Sequence, residues 1–412
     1  MEQAVIVGIR GEEAQTKELI SLAASVDIEC VEVFEVQIQK PSAAWLLGKG
    51  KTKEIIEWAC DNEMDMIVFN PPLSPSQQRN WEEASGKCVI DRHEIILEIF
   101  SRRAVTREAA LQTGLARMEY SLPRLTRAWT HLSRQRGGAK GTRGEGETQL
   151  EIDRRIVLKK ISKMKRELQE VKKQRKTQRM KRVNRGIASA CIVGYTNAGK
   201  SSLLNRLCEA GILAEDKLFA TLDPTTRSLR LSGGASITLT DTVGFIRDLP
   251  HKLVQAFHST LEEAVLADFL IHLIDASDPQ AAEHYKTTME TLNEIGAEGK
   301  RILTVFNKID MIADNDDLLL NVKEIQLKSE RSLFCSVKTG EGIDELKDAV
   351  EIMLREGRRE TTFIFPPDKY SEVSRLHRES EIVSEEYEDA GTKVRAICSE
   401  ELISRYRIYI AD

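Results

Sequence analysis

Long apolar runs are missing from this 412-residue sequence; stretches such as Phe269–Ile271 and Ile95–Leu97 are only a few residues long. A bilayer span needs about 20 consecutive apolar residues, so a membrane-spanning helix is excluded. Cysteine is sparse. The seven cysteines, at 30, 60, 88, 191, 208, 335 and 398, form no Cys-x-x-Cys pair. That argues against a disulfide framework or a zinc cluster and for a reducing, cytoplasmic setting. The start, Met1-Glu2-Gln3, has no basic stretch leading into an apolar one, so no secretory leader is expected. Aromatic residues make up 5%, and all four tryptophans (45, 58, 81, 129) fall in the first 130 residues. What is present, 41% hydrophobic and 30% charged residues, belongs to a globular chain rather than a disordered or fibrous one. The length predicts about two to four domains.

Charge is unevenly spread. The net charge is −5, yet Glu151–Arg185 holds 15 Lys/Arg against 4 Asp/Glu, a net of +11, leaving −16 for the remainder. A lone charge run is ordinarily a solvated helix face. Beside the features that follow, this one reads as a basic rod with a polyanion partner.

Residues 1–110 alternate short β-branched runs with helical ones. Strands are expected at Ala4–Val7, Val31–Ile38, Met66–Phe69 and Val89–Ile90, with helices at Gly11–Ala24, Lys51–Asp61 and Pro75–Ser85. This predicts a small α/β domain with a largely parallel sheet. Over 111–185, Leu111, Leu115, Met118, Leu122, Leu125, Trp129 and Leu132 follow a heptad spacing. So do Leu150, Val157, Ile161, Met164, Leu168 and Val171. Two 22-residue arms, about 33 Å each, predict an antiparallel helical hairpin, kinked in its first arm by Pro123. Its tip, 135–149, has glycines at 137, 138, 141, 144 and 146, and the tip region carries Arg134, Arg136, Lys140 and Arg143 as candidate RNA contacts. A hairpin turn needs only about 2–5 residues, so a loop of this length looks built to reach something.

Residues 186–357 carry the chemistry. The strand Ile187–Val193 runs into Gly194-Tyr195-Thr196-Asn197-Ala198-Gly199-Lys200-Ser201, and a helix starts near Ser202. This is G-x-x-x-x-G-K-S between strand and helix. The glycines let backbone N–H groups turn inward around phosphate, and the helix N-terminus adds to the attraction. Lys200 supplies a charge to the β and γ phosphates, and the Ser201 hydroxyl ligates Mg²⁺. Asp241-Thr242-Val243-Gly244 ends the strand Ser236–Thr240; Asp241 can hold Mg²⁺ through water and the Gly244 N–H can meet the γ-phosphate. Asn307-Lys308-Ile309-Asp310 ends another strand. Asp310 can accept from both N1–H and the 2-amino group of guanine, a donor pair adenine lacks, while Lys308 lies along the ring. Ser336-Val337-Lys338 would close over the base. The order of these segments, each at a strand's C-terminal end, points to GTP bound on a doubly wound sheet.

These segments resemble the translation-factor class of P-loop GTPases. That resemblance implies a switch I between the P-loop and Asp241, for which Phe219-Ala220-Thr221-Leu222-Asp223 is the candidate. Thr221 would be the Mg²⁺ and γ-phosphate ligand, with Thr225 and Thr226 as rivals. More narrowly, FATLDPTTR at 219–227, DTVGF at 241–245 followed by Leu249-Pro250-His251, and above all GEGETQLEIDRR at 144–155 resemble the HflX family of ribosome-associated GTPases. The resemblance covers essentially the whole chain, including a small α+β unit at 358–412. It implies a chain, monomeric when active, that binds GTP and GDP and the RNA of the large (50S) ribosomal subunit. It also implies dissociation or rescue of 70S ribosomes under stress and Mg²⁺-dependent GTP hydrolysis stimulated by the ribosome. One departure from Ras-type GTPases is Phe245, where those proteins place the glutamine that orients the attacking water. Phenylalanine has no donor or acceptor, so slow hydrolysis by the isolated chain is expected, about 10⁻⁴ s⁻¹ on the Ras intrinsic scale. The water-positioning residue stays unassigned; His251 is close in sequence but more simply a cap or surface residue. Two other readings remain open on sequence. One is a signalling GTPase with a coiled-coil protein partner. The other is a nucleotide-dependent RNA remodelling enzyme, in which Leu47-Gly48-Lys49-Gly50-Lys51 would touch phosphate.

Overall fold

Parallel strands need a crossover helix between them, and the N-terminal sequence supplies one each time. In the computed structural model, β1 (Glu2–Ile9), β2 (Ile28–Val36), β3 (Met66–Phe69) and β4 (Cys88–Asp91) form a sheet of order β2-β1-β3-β4, every pairing parallel. The crossovers are α1 (Glu13–Ala24), α2 (Lys49–Asp61) and α3 (Pro75–Ser85). The structure describes residues 1–125, 149–183, 188–208, 219, 222–231, 236–247, 261–312, 316–356, 358–388 and 391–411. Outside them fall the basic tip with Arg134, Arg136, Lys140 and Arg143, the switch I residues Ala220 and Thr221, and His251.

Local chemistry sets the helix ends. The Ser74 hydroxyl accepts the Gln77 N–H while the Gln77 side chain takes the Ser74 N–H, Pro75 opens α3, and Gly86, at φ +67°, closes it. Trp81 on α3 is fully buried, edge-on to Phe69 with centroids 4.9 Å apart, and its Nε1–H donates to Trp45 O at 2.8 Å. A buried tryptophan removes about 150–250 Å² from water, on the order of 4–6 kcal/mol. A further helix, α4 (Arg92–Arg103), follows β4 directly, with the Asp91 carboxylate accepting the Glu94 N–H at its start.

The first helical arm opens with α5 (Arg107–Ser121), and Pro123 falls in the 3₁₀ turn Leu122–Arg124 that follows, since proline cannot donate the next α-helical bond. The rest of that expected arm, 126–132, lies outside the described residues. The second, α6 (Gln149–Val183), runs 35 residues with no internal Gly or Pro. Its expected seam is turned inward: Ile161 is buried and Val157, Met164 and Leu168 are half-buried. Gly114 of α5 sits where an added Cβ would come within 2.6 Å of Met164 Cε, and Lys165 pairs with Glu119 at 2.7 Å. Met164 reaches into the space Gly114 leaves, and the exposed ion pair adds under about 1 kcal/mol.

The chain divides into two compact units, the first holding residues 1–170 and the second most of the rest. In the second, β5 (Ala188–Val193), β6 (Thr225–Arg230), β7 (Ser236–Asp241), β8 (Phe269–Asp275), β9 (Ile302–Asn307) and β10 (Ser332–Phe334) form one sheet of order β10-β9-β8-β5-β7-β6. Only β6 runs antiparallel to its neighbour. Helices α7 (Lys200–Cys208), α8 (Ala281–Glu294), α9 (Asp316–Lys328) and α10 (Ile343–Glu356) belong to this part. Ile192, Leu203, Leu239, Ile271, Val305 and Leu346 are at most 1% exposed and make its core. The strand order reverses between β5 and β8, the place where doubly wound sheets open a crevice at their C-terminal ends. The C-terminal segment forms an antiparallel sheet, β11-β13-β12, from β11 (Arg358–Phe365), β12 (Glu381–Glu388) and β13 (Gly391–Ser399). It packs with α11 (Tyr370–Glu379) and α12 (Glu400–Arg405) around Phe363, Phe365, Val394 and Tyr406.

Candidate nucleotide-binding site

The loop after β5 turns sharply because three of its residues adopt positive φ: Gly194 (149°), Asn197 (61°) and Gly199 (96°). Glycine is required at two of them. A Cβ on Gly194 would lie 2.2 Å from Leu273 O, and one on Gly199 would lie 2.6 Å from Asn307 Nδ2. The loop delivers Lys200 to the first turn of α7, where it is buried and its Nζ donates to Tyr195 O at 2.7 Å. Burial lowers the lysine to about 8, against a smaller opposing pull from Asp241. A phosphate ligand would restore full charge to this ammonium.

Beside it, the Ser201 hydroxyl donates to Asp241 Oδ2 at 2.7 Å. Asp241 ends β7 and is 1% exposed. A hydroxyl and a carboxylate next to a helix N-terminus are hard oxygen donors of the kind Mg²⁺ accepts. The backbone then carries Thr242, whose hydroxyl donates to Ile192 O at 2.9 Å, and the buried Val243 to Gly244. An added Cβ at 244 would meet Thr196 Cα at 2.8 Å and Lys200 Nζ at 2.9 Å, so Gly244 lies against the P-loop. Phe245 is 1% exposed; its side chain is core, consistent with a residue that cannot handle water.

The loops after β9 and β10 meet the P-loop through Asn307. Its Nδ2 donates to Ala198 O at 2.8 Å and its Oδ1 accepts the Val337 N–H at 3.0 Å. Lys308 follows at φ +63°, with its Nζ 2.6 Å from Asp275 Oδ2, and Ile309 opens a 3₁₀ turn. Asp310 is exposed and accepts the Ser336 hydroxyl at 2.6 Å; Lys338 is also exposed. Ser336 is buried and caps its own turn by accepting the Thr339 N–H. Gly342, at φ +74°, has no room for a Cβ, which would fall 2.1 Å from Phe334 O. Gly194 to Ser202, Asp241 to Gly244, Asn307 to Asp310 and Ser336 to Lys338 therefore all lie at the C-terminal ends of one sheet's strands.

The switch I candidate is only partly described. Leu222 is buried and Asp223 half-buried, while Phe219 is grouped with the first unit, where its ring meets Phe100 edge-on at 4.6 Å. Thr225 and Thr226 are strand residues of β6, facing Asp241 and Thr240 across the ladder, with the Thr226 and Thr240 hydroxyls 3.0 Å apart.

Four contributors were missed by the motifs. Asp275 ends β8 and holds Lys308; His284 stacks on Tyr195; Arg247 pairs with Glu283; and His272 is wholly buried under the P-loop. Burial pushes His272 down to about 3, helped by Lys200. A polar residue closing an apolar strand was the one available signal, in Phe269–Asp275.

Three family models match in succession: "GTP-binding GTPase N-terminal" over residues 13–101, "GTP-binding GTPase Middle Region" over 103–182, and "50S ribosome-binding GTPase" over 189–308. Among curated proteins, the chain is 45% identical to a GTPase HflX from Akkermansia muciniphila, covering 100% of this chain and 98% of that one. It is 39% identical to the GTPase HflX of Escherichia coli, covering 95% and 92%. Among solved structures it is similar to a GTP-binding protein from Sulfolobus solfataricus in complex with GDP, at 26% identity, 86% and 98% coverage and a TM-score of 0.46. Identity of this degree along the full length shows the family: the chain belongs to the HflX GTPases and is a GTP-hydrolysing enzyme.

Proposed function

We propose that this GTPase is a nucleotide-driven switch that acts on the large ribosomal subunit and dissociates or rescues 70S ribosomes under stress. The observation that carries the reading is a cationic face on α6, in one chain with the nucleotide site. Arg155, Lys159, Ser162, Lys163 and Arg166 are exposed along successive turns and line one open groove, opposite the inward seam at Ile161. That face and the +11 charge of Glu151–Arg185 suit ribosomal RNA better than an apolar protein partner. Arg134, Arg136, Lys140 and Arg143 would extend the contact.

In this reading Lys200 and the P-loop N–H groups hold the β and γ phosphates. Asp310 selects guanine with Lys308 along the ring, Ser336-Val337-Lys338 closes over the base, and Gly244 reports the γ-phosphate. Ser201 and Thr221 would ligate Mg²⁺, with Asp241 through water; the ion would neutralise charge on the phosphates. No helix among the described residues is long and apolar enough to cross a membrane, and a cytoplasmic, ribosome-bound chain acting as a monomer fits the reading.

Sucrose-gradient sedimentation with ribosomes tests it. Cosedimentation with the large subunit is expected with a non-hydrolysable GTP analogue and not with GDP. Binding should weaken with salt at a slope of roughly 0.7–0.9 per phosphate contact on log axes. A near-flat salt response, or equal binding with GDP, would overturn the proposal.

A further inference from the structure

Three hydrogen bonds tie the P-loop to the residues that follow Gly244. Thr196 N–H donates to Phe245 O at 2.9 Å, and Phe245 N–H donates to Gly194 O at 3.1 Å, closing a parallel β-bridge between Tyr195 and Phe245. The third is different in kind: Arg247 N–H donates to the Tyr195 hydroxyl at 3.0 Å. It depends on where a side chain stands, and the structure fixes that side chain from outside the P-loop. The Tyr195 ring lies face to face on His284 of α8, with centroids 3.6 Å apart and planes 10° from parallel. His284 is held on its far side, its Nδ1 3.0 Å from Asp278 Oδ2. Asp278 also accepts the Gln280 N–H at 2.8 Å. Burial alone would raise the Asp278 carboxyl, but these two hydrogen bonds, with the neighbouring charges of His284 and Lys308, hold the group below its usual range.

The residue before His284 completes the grip. Glu283 pairs with the Arg247 guanidinium, whose side chain is 13% exposed. Two consecutive residues of α8 thus act on one connection, His284 through Tyr195 and Glu283 through Arg247. What the connection carries is Gly244, which leaves no room for a Cβ beside Thr196 and Lys200. Because Phe245 cannot orient water, the placement of backbone groups around the terminal phosphate bears more of the work than in an enzyme with glutamine there.

We propose that Tyr195, braced by His284, is a positioning residue for GTP hydrolysis, holding the Gly244–Arg247 backbone so that the Gly244 N–H meets the terminal phosphate. The proposal rests on the nucleotide site assigned above. Tyr195→Phe keeps the ring and its stack and removes the hydroxyl that accepts from Arg247.

The experiment is single-turnover GTP hydrolysis by the full chain, with affinity for a fluorescent GTP analogue measured alongside. Tyr195→Phe should lower the hydrolysis rate about three- to tenfold, the range of one neutral hydrogen bond, while affinity stays within about twofold. His284→Ala should lower the rate at least as much. His284→Phe, which restores a flat ring under Tyr195, should recover most of the loss. Rates equal to the parent's in both Tyr195→Phe and His284→Ala overturn the proposal, as does affinity falling in step with rate. Lys200→Ala separates the two readings: unimpaired GTP binding there would sink the site assignment itself, whereas a null result at Tyr195 would not.

Discussion

Replacing Asn307 by alanine should uncouple the base-reading loops from the P-loop. Asn307 is 3% exposed, so water cannot readily take over its two hydrogen bonds. Truncation leaves the Ala198 carbonyl and the Val337 N–H, 2.8 and 3.0 Å from the lost amide, without partners. Each unsatisfied buried group costs about 1–3 kcal/mol, so the pair costs roughly 2–6 kcal/mol. The β9 ladder runs through backbone bonds and is untouched, so most of that cost should fall on the loops and reach nucleotide affinity. A loss of about 3 kcal/mol is just over 100-fold in Kd. The assay is titration with a fluorescent GTP analogue at 25 °C, with circular dichroism checking that the fold persists. Gly199→Ala attacks the same junction from the other side, since its Cβ would strike Asn307 Nδ2. The two changes should therefore be non-additive, the double variant losing less than the sum by more than about 0.5 kcal/mol. Affinity within threefold of the parent for Asn307→Ala, or strict additivity with Gly199→Ala, would refute the reasoning.

Three further outcomes follow from single groups. Asp310→Asn replaces a double acceptor by an amide that can donate to a carbonyl, so preference should move from GTP toward xanthosine triphosphate; a competition assay in which GTP binding is unaffected would show that Asp310 does not read the base. Lys200, lowered to about 8 by burial, is half-deprotonated near that pH in the free chain, so GTP binding above it must take up a proton. Affinity should be about tenfold weaker at pH 9 than at pH 7, and a flat profile between them contradicts the burial argument. His272 titrates near 6.5 when unfolded and about 3 when folded, so its neutral form is present in the fold at pH 7 and its contribution is lost as pH falls below 6.5. From pH 7 to pH 5 that loss is about 2 kcal/mol. Urea denaturation of His272→Phe should show a correspondingly smaller acid loss than the parent, and identical pH dependence would count against it.

The loop geometry of the motif segments was legible in sequence because their chemistry is local. A turn that needs positive φ demands glycine, and a strand-to-helix transition places the next residues at a helix N-terminus. So 194–201 could be read without knowing any neighbour, and Asp241, Asn307 and Ser336 could be read from the strands they end. The strands of the N-terminal sheet and those leading into the motifs were legible for the same reason, to within three residues at their ends, whereas β8 was not read as a strand. One helical feature was misjudged. The second arm was closed at Val171, where the apolar seam stops, although Lys, Arg and Gln continue a helix well without a seam to bury.

What stayed hidden has a common cause. His284 means nothing in sequence: an isolated histidine on an amphipathic helix is ordinarily a surface residue. It acquires a role only because the sheet order places β8 beside β5, which sets the α8 that follows β8 next to the P-loop. Asp275 is legible as a strand-ending carboxylate, but its partner Lys308 lies 33 residues on and comes within reach only through the parallel β8–β9 pairing, which sets Asp275 opposite Asn307. Arg247 and Glu283 likewise meet across 36 positions. The residues that would touch nucleotide are thus encoded by short motifs, while those that hold the motifs in register are encoded by topology. A substitution in the second group should leave every motif intact and still change turnover, which is why Tyr195→Phe and His284→Ala, rather than further changes in the P-loop, probe how this GTPase is tuned.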